Sequence, residues 1–204
     1  MKVEKVQFIG IVIILFFNNQ IFSQGVSLDD SPFKMEFIRN KTNSKLLHRT
    51  SHRTSRDAKF INVRVKLTSK TGSKVGFDPN PISLIVDSYK QRIRPTDFDY
   101  PILHLNSSMN RVLIEYDKDI VRLAGYVYNP EIPDSFENYN YKDYQNITHS
   151  YKWGNTKNAK EISYYYEVRE FKERKANLIF LVPKEIEKAS LYYGDQWIYD
   201  ITVR

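Results

Sequence analysis

Cysteine is absent from the 204 residues. Disulfides, a cysteine nucleophile and the lipid-modified cysteine of a bacterial lipoprotein are therefore excluded. Glycine is scarce: seven residues, scattered, so no Gly-rich phosphate cradle can be assembled. Histidine is scarce too, with four residues. Beyond the first twenty residues no stretch sustains a helical period over twelve positions, which argues against an α or α/β class. The serines sit in no strand-turn-helix elbow, so a serine hydrolase signature is missing. What is plentiful is aromatic: 15 Tyr and 12 Phe, residues that suit pleated surfaces.

The start of the chain reads as an address. Lys2 and Lys5 precede the apolar stretch Phe8–Phe17, and polar Asn18, Asn19 and Gln20 follow. A basic start, a short apolar centre and a small residue before the cut describe a secretory signal peptide, residues 1–23, cleaved after Ser23. An uncleaved membrane anchor is the alternative, but the apolar run falls short of the about 17–25 residues a spanning helix needs. Small secreted animal domains usually rely on disulfides, so a cysteine-free exported domain points to a bacterial envelope, periplasmic or extracellular. A mature chain of about 180 residues can bury enough apolar surface without staples. No membrane span is expected after cleavage.

Net charge is +7, from 31 basic and 24 acidic residues. Part of the excess is local, in Lys41–Lys59, where six Lys and Arg face Asp57 alone. Such a run can steer a protein to nucleic acid, anionic lipid or acidic glycan. Its Ser and Thr content favours a solvated tether, and an exported protein is not expected to meet nucleic acid. Residues 24–58 therefore read as a basic flexible leader, with Phe33, Met35 and Phe37 allowing one short strand.

From residue 59 the rhythm sharpens. In FINVRVKLT, Ile61, Val63, Val65 and Leu67 share one face, and Asn62, Arg64 and Lys66 the other. That period of two marks a strand with one buried and one wet face. Ile82, Leu84 and Val86 repeat the pattern, as do Ile162, Tyr164, Tyr166 and Val168. Val112–Tyr116 and Val121–Tyr128 are two further strand candidates, separated by the turn Asp117–Asp119. NLIFLV is apolar on both faces, and Pro183 follows; a central strand is expected there, ended because proline cannot donate to a ladder. In QWIYDITV, Trp197, Tyr199, Ile201 and Val203 share a face, and Trp197 is expected in the core with Val63, Val65, Leu178 and Phe180. Seven to nine short strands separated by turns predict an antiparallel β-sandwich over residues 59–204. Residues 129–159 break every rhythm and read as a long inserted loop.

The order of these segments resembles a family of uncharacterised, immunoglobulin-like exported bacterial domains. The positions that carry the resemblance are Val63, Val65, Phe77, Leu84, Asp87, Phe180, Val182, Pro183, Leu191 and Tyr193. It spans Lys59 to Val203 and departs in the 129–159 segment and in the missing lipoprotein cysteine. It implies an immunoglobulin-like fold and brings no activity with it.

Candidate chemistry is sparse. His48 and His52 stand four apart, but in a Ser- and Thr-rich stretch without a carboxylate pair, so an exposed tether is expected there, not a metal site. His104, between Leu103 and Leu105, reads as a strand-edge residue. Asp97 and Asp99 form a D-x-D pair with too few oxygens nearby for calcium, and read as solvated carboxylates in a turn. No cofactor is called for. The candidate binding residues are Tyr139, Tyr141, Tyr144, Tyr151 and Trp153, in an aromatic segment mixed with Asn, Lys and Asp. Such rings stack on sugars or make adaptable protein contacts; alternatively they pack as a lid over a sheet edge. The expected function is a non-catalytic binding or structural module of the envelope, with a glycan or protein partner. A hydrolase of envelope glycan or peptide, and an accessory subunit docking by a sheet edge, are the rivals.

Overall fold

The computed structural model describes residues 25–43, 57–102, 105–122, 125–154 and 157–203. The expected signal peptide, His48 and His52 with most of the basic run, and His104 lie outside the described residues. In chain order the strands begin with β1 (Val26–Ser27), β2 (Phe33–Asn43), β3 (Ala58–Ser69), β4 (Val75–Phe77), β5 (Ile82–Val86) and β6 (Gln91–Ile93). Next come β7 (Asp97–Ile102), β8 (Leu105–Ser108), β9 (Arg111–Leu113), the short helix α1 (Lys118–Val121) and β10 (Tyr126–Val127). The order ends with β11 (Gln145–Ile147), β12 (Ser150–Trp153), β13 (Lys160–Tyr166), β14 (Arg169–Phe171), β15 (Glu173–Pro183), β16 (Lys188–Tyr193) and β17 (Gln196–Thr202).

These strands make an all-β sandwich. One sheet has the order β1-β2-β3-β15-β7-β8 and is antiparallel throughout. The other has the order β11-β6-β5-β16-β17, antiparallel except for the parallel pair β11–β6. A four-stranded sheet, β10-β9-β13-β12, and the pair β14–β4 flank them. The alternation in β3 does what its sequence dictates: Ile61, Val63, Val65 and Leu67 are buried, and the residues between them are half-buried. They share one core with Leu178 and Phe180 of β15 and with Leu84 and Leu191 of the second sheet. A ring cluster closes one end, where Phe33 meets Phe77 edge-on at 5.1 Å and Phe171 at 4.9 Å.

The stretch NLIFLVPKEIEKASLYY is the crossing between the two sheets. β15 lies between β3 and β7 and ends at Pro183. Residues 184–187 then carry the chain to β16 in the opposite sheet, with Ile186 only 2% exposed as the plug of the crossing. Proline removes a ladder donor at the point where the chain must leave the sheet.

Four expectations are corrected. The first is the flexible leader. Val26–Ser27 and Phe33–Asn43 of it are strands: β2 pairs with β3 from Phe33↔Ser69 to Asn43↔Phe60, and Phe33 and Met35 are fully buried. A bulge between Phe37 and Arg39 leaves Ile38 exposed and breaks the period of two, which hid the strand's second half. The second is Trp197, which is 51% exposed and not a core residue. The β16–β17 register shifts between Leu191 and Tyr192, so Ile198 and Ile201, three apart, both face inward. The third is the pair of strands around residues 112–128. Among the described residues of that stretch only Arg111–Leu113 and Tyr126–Val127 are strands, and the segment expected to separate them starts a helix: Asp117 accepts from the backbone N–H of Asp119 (3.0 Å) and Ile120 (3.3 Å). The fourth is the inserted loop, which holds β11, β12 and a 3₁₀ turn at Ser135–Asn138. Among the described residues no helix is long and apolar enough to cross a membrane.

Candidate functional site

The second sheet has an inner face in the core and an outer face. Register places Ser190 opposite both Ile85 and Asp200, Tyr192 opposite Ser83, and Ile85 opposite Arg92, so all of these point outward. An outward arginine is expected in water, yet Arg92 and Arg94 are fully buried. The reason lies some forty residues downstream. The segment after Pro133 folds back over this face, and the buried Phe136 ring sits 3.8 Å from the Arg92 guanidinium and 4.4 Å from that of Arg94. Arg94 Nη2 donates to both oxygens of Asp134 at 2.6 Å, and its Nη1 to the Tyr164 carbonyl at 3.1 Å. Arg92 Nη1 donates to the Phe136 carbonyl at 2.8 Å. Burial pulls the Arg92 guanidinium down to about 10, with Tyr141 and Glu137 acting the other way. The segment then joins the sheet as β11, beside β6.

Three of the five sequence-predicted binding residues meet here. Tyr139 is half-buried against the turn at Gly194, where φ is +57° and a Cβ would lie 2.7 Å from the Tyr139 ring. Glycine is required there on both counts. Tyr141 donates to the Gly194 carbonyl at 3.1 Å and meets Tyr192 edge-on at 5.6 Å. Tyr144 donates to Asp87 Oδ1 and lies under the Lys90 ammonium, 4.8 Å from the ring centre. Tyr151 and Trp153 are elsewhere. They belong to β12, paired with β13, and Trp153 packs against the small cluster of Leu113, Ile120 and Ile162.

The folded-back segment covers only part of the outer face. Beyond it, over β16 and β17, lies an open groove of about 770 Å³. Its floor and walls include Asp87, Ser88, Lys188, Ser190, Asp200 and Thr202, with Glu185 and Glu187 at the crossing end. Asp200 Oδ1 accepts from Ser190 Oγ at 2.7 Å and from Trp197 Nε1 at 2.9 Å. The Trp197 and Ser190 donors hold this carboxyl below the ordinary carboxylate range. Burial, then Asp87 and Asp200, push the Tyr192 hydroxyl upward. Sequence reading missed Asp87, Ser190, Tyr192, Trp197 and Asp200 as a group. Ser190, Tyr192, Trp197 and Asp200 share outward phase on adjacent strands, which the bulge erased for Trp197, and Asp87 opens the 3₁₀ turn after β5.

The other carboxylates of interest are structural. Asp97 and Asp99 are not solvated in a turn: both lie in β7 and are at most 5% exposed, a further correction. Asp97 Oδ1 pairs with Arg111 Nη2 at 2.9 Å. Among the described residues no group of three or more His, Cys, Asp or Glu could hold a metal ion.

Burial raises the hydroxyls of Tyr100, Tyr164, Tyr166 and Tyr193. Tyr164 donates to the Thr96 carbonyl (2.8 Å) and Tyr166 to the Pro95 carbonyl (2.9 Å). In the unfolded chain these groups ionise near the ordinary tyrosine value of about 10. Folded pKa above unfolded pKa means that their contribution to stability is full below about pH 10 and is lost as pH rises further. Absorbance at a tyrosinate wavelength should show these four silent near pH 10 in the native protein and titrating in denaturant. Equal titration in both states would contradict the burial.

No family model, curated protein or solved structure matches the chain.

Proposed function

We propose that the chain is a non-catalytic binding module of the bacterial cell envelope, exported and built on an immunoglobulin-like sandwich, with a glycan as its ligand. The observation that supports this most is the division of the outer face. The folded-back segment packs over Arg92 and Arg94, and stops where a groove with carboxylate and hydroxyl walls begins. Tyr144 and Trp197 are each hydrogen-bonded to one of that groove's carboxylates. Rings with an apolar face and a polar tip beside fixed acceptors are what polyhydroxylated ligands require.

At Asp200 the chemistry does not favour a hydrolase. A glycosidase needs one carboxyl raised enough to hand over a proton. Asp200 is held low instead, and Asp97, which burial raises, is paired with Arg111 away from the groove. The rival of docking by a sheet edge loses ground at β17. Asn40 Nδ2 donates to the Thr202 carbonyl at 2.8 Å, and Gln196 bridges to Ser27 (2.8 Å) and Asp29 (3.0 Å). Those bonds tie that edge to the first sheet and leave less of it for an added strand.

The exported protein should have the mass of a chain starting at Gln24, within two residues. The purified protein should sediment with insoluble envelope material without releasing sugar or peptide from it. A full-length membrane-embedded product would overturn export. Release of fragments would overturn the non-catalytic reading.

A further inference from the structure

We propose that the groove over β16 and β17 binds a neutral oligosaccharide, held between the Asp87 and Asp200 carboxylates with the Trp197 ring as its stacking surface. The inference rests on the binding-module reading above and adds the place and the charge of the ligand.

The acceptors come first. Asp87 and Asp200 are each fixed through a single oxygen, Oδ1: Asp87 by Tyr144, and Asp200 by Trp197 and Ser190. Oδ2 of each carries no hydrogen bond among the described residues. A carboxylate anchored on one oxygen presents the other at a set angle, so little side-chain freedom is lost on binding. Hydroxyl donors to such an oxygen make charge-assisted bonds, about twice as strong as neutral ones. Ser88, Ser190 and Thr202 add hydroxyls that can donate or accept.

The ring comes second. Trp197 is 51% exposed, large and apolar, and its indole N–H is already taken by Asp200. Trp197 is not itself a lining residue; that bond to Asp200, which does line the groove, sets the ring beside it. The C–H face of a pyranose, weakly positive, matches the negative face of such a ring.

Charge decides between ligands. Among the groove's lining residues Asp87, Glu185, Glu187 and Asp200 stand against Lys188, with Lys59 and Lys90 at its margins. Uronates, sulfates and phosphates are repelled by that lining although the whole chain carries +7. A polycation would be attracted by the same lining and could donate to the same carboxylate oxygens, so it is the competing ligand that the hexa-arginine control measures. A neutral polyol uses the carboxylate oxygens, the hydroxyls and the ring face together.

The test is isothermal titration of the mature protein with cellohexaose, chitohexaose and mannohexaose, and with polygalacturonate and hexa-arginine as charged controls. At least one neutral hexasaccharide should bind and polygalacturonate should not. Trp197→Ala and Asp200→Asn should each weaken binding by about tenfold or more, with the thermal midpoint within 2 °C or so of the parent. Binding of hexa-arginine alone would make the groove a cation site and overturn the proposal. Undiminished hexasaccharide binding by both variants would move the site elsewhere. If no hexasaccharide binds while the protein still sediments with envelope material, this inference fails and the binding-module reading survives. If sedimentation fails too, both fall.

Discussion

Phe180→Ala should lower the unfolding free energy by about 3–5 kcal/mol. Phe180 is fully buried and lies on β15, opposite Ile61 of β3. Its ring belongs to the cluster that joins the two sheets. Truncation removes the favourable transfer of the ring and leaves a void that strands paired on both sides cannot close. The loss should appear as a lower denaturation midpoint at unchanged m, and as a fall of roughly 6–20 °C in Tm for a chain of this size. Val168→Ala is the contrast, since Val168 is 44% exposed and should change stability by less than about 0.5 kcal/mol. A Phe180→Ala variant as stable as the parent would remove β15 from the centre of the sandwich.

That strand was legible in the sequence because two signals agreed there: a run apolar on both faces, and a proline where the ladder stops. β3 was legible for a related reason, since one wet face forces strict alternation. The readings that failed did so where the period of two was interrupted. One extra residue at Ile38 and another at Ile198 each shift the phase, and no local property of isoleucine announces a bulge. Asp117 caps a helix where its sequence suggests a turn, because turns and helix caps draw on the same short polar side chains. The site was half legible. The density of tyrosine marked Tyr139, Tyr141 and Tyr144, and the packing alternative describes their surroundings well. Arg92 and Arg94 alternate with Ile93 like any wet face, and only a covering segment from far along the chain buries them. Ser190 and Asp200 become neighbours through strand register alone, which no window of sequence contains.

Asp97→Ala should destabilise by about 3–5 kcal/mol, more than Arg111→Met. The pair ties β7 of the six-stranded sheet to β9 of the flanking one, at 2.9 Å with both side chains under 10% exposed. Burial pushes the Asp97 carboxyl up, and Arg111 pulls it back. Burial opposes the Arg111 charge, and Asp97 and the surrounding tyrosines more than restore it. The two partners differ in what they can do when orphaned. Without Asp97, the guanidinium remains charged, because arginine cannot shed its proton at any ordinary pH. It would sit 5.4 Å from the Tyr126 and Tyr164 rings without its Asp97 partner. Without Arg111, the carboxyl can take a proton and become a neutral hydrogen-bonding group. The Arg111→Met variant should therefore gain stability relative to the parent as pH falls. A raised folded pKa makes that contribution full below the unfolded value of about 3.9, and loses it as pH rises through the folded one. Asp97→Ala combined with Arg111→Met should recover most of the loss of Asp97→Ala, since no buried charge is left without its partner. Urea denaturation of the three variants at two pH values measures all of this. Equal losses for the two single variants, or a double variant no better than the sum of its parts, would mean that the pair is not the electrostatic tie between the two sheets.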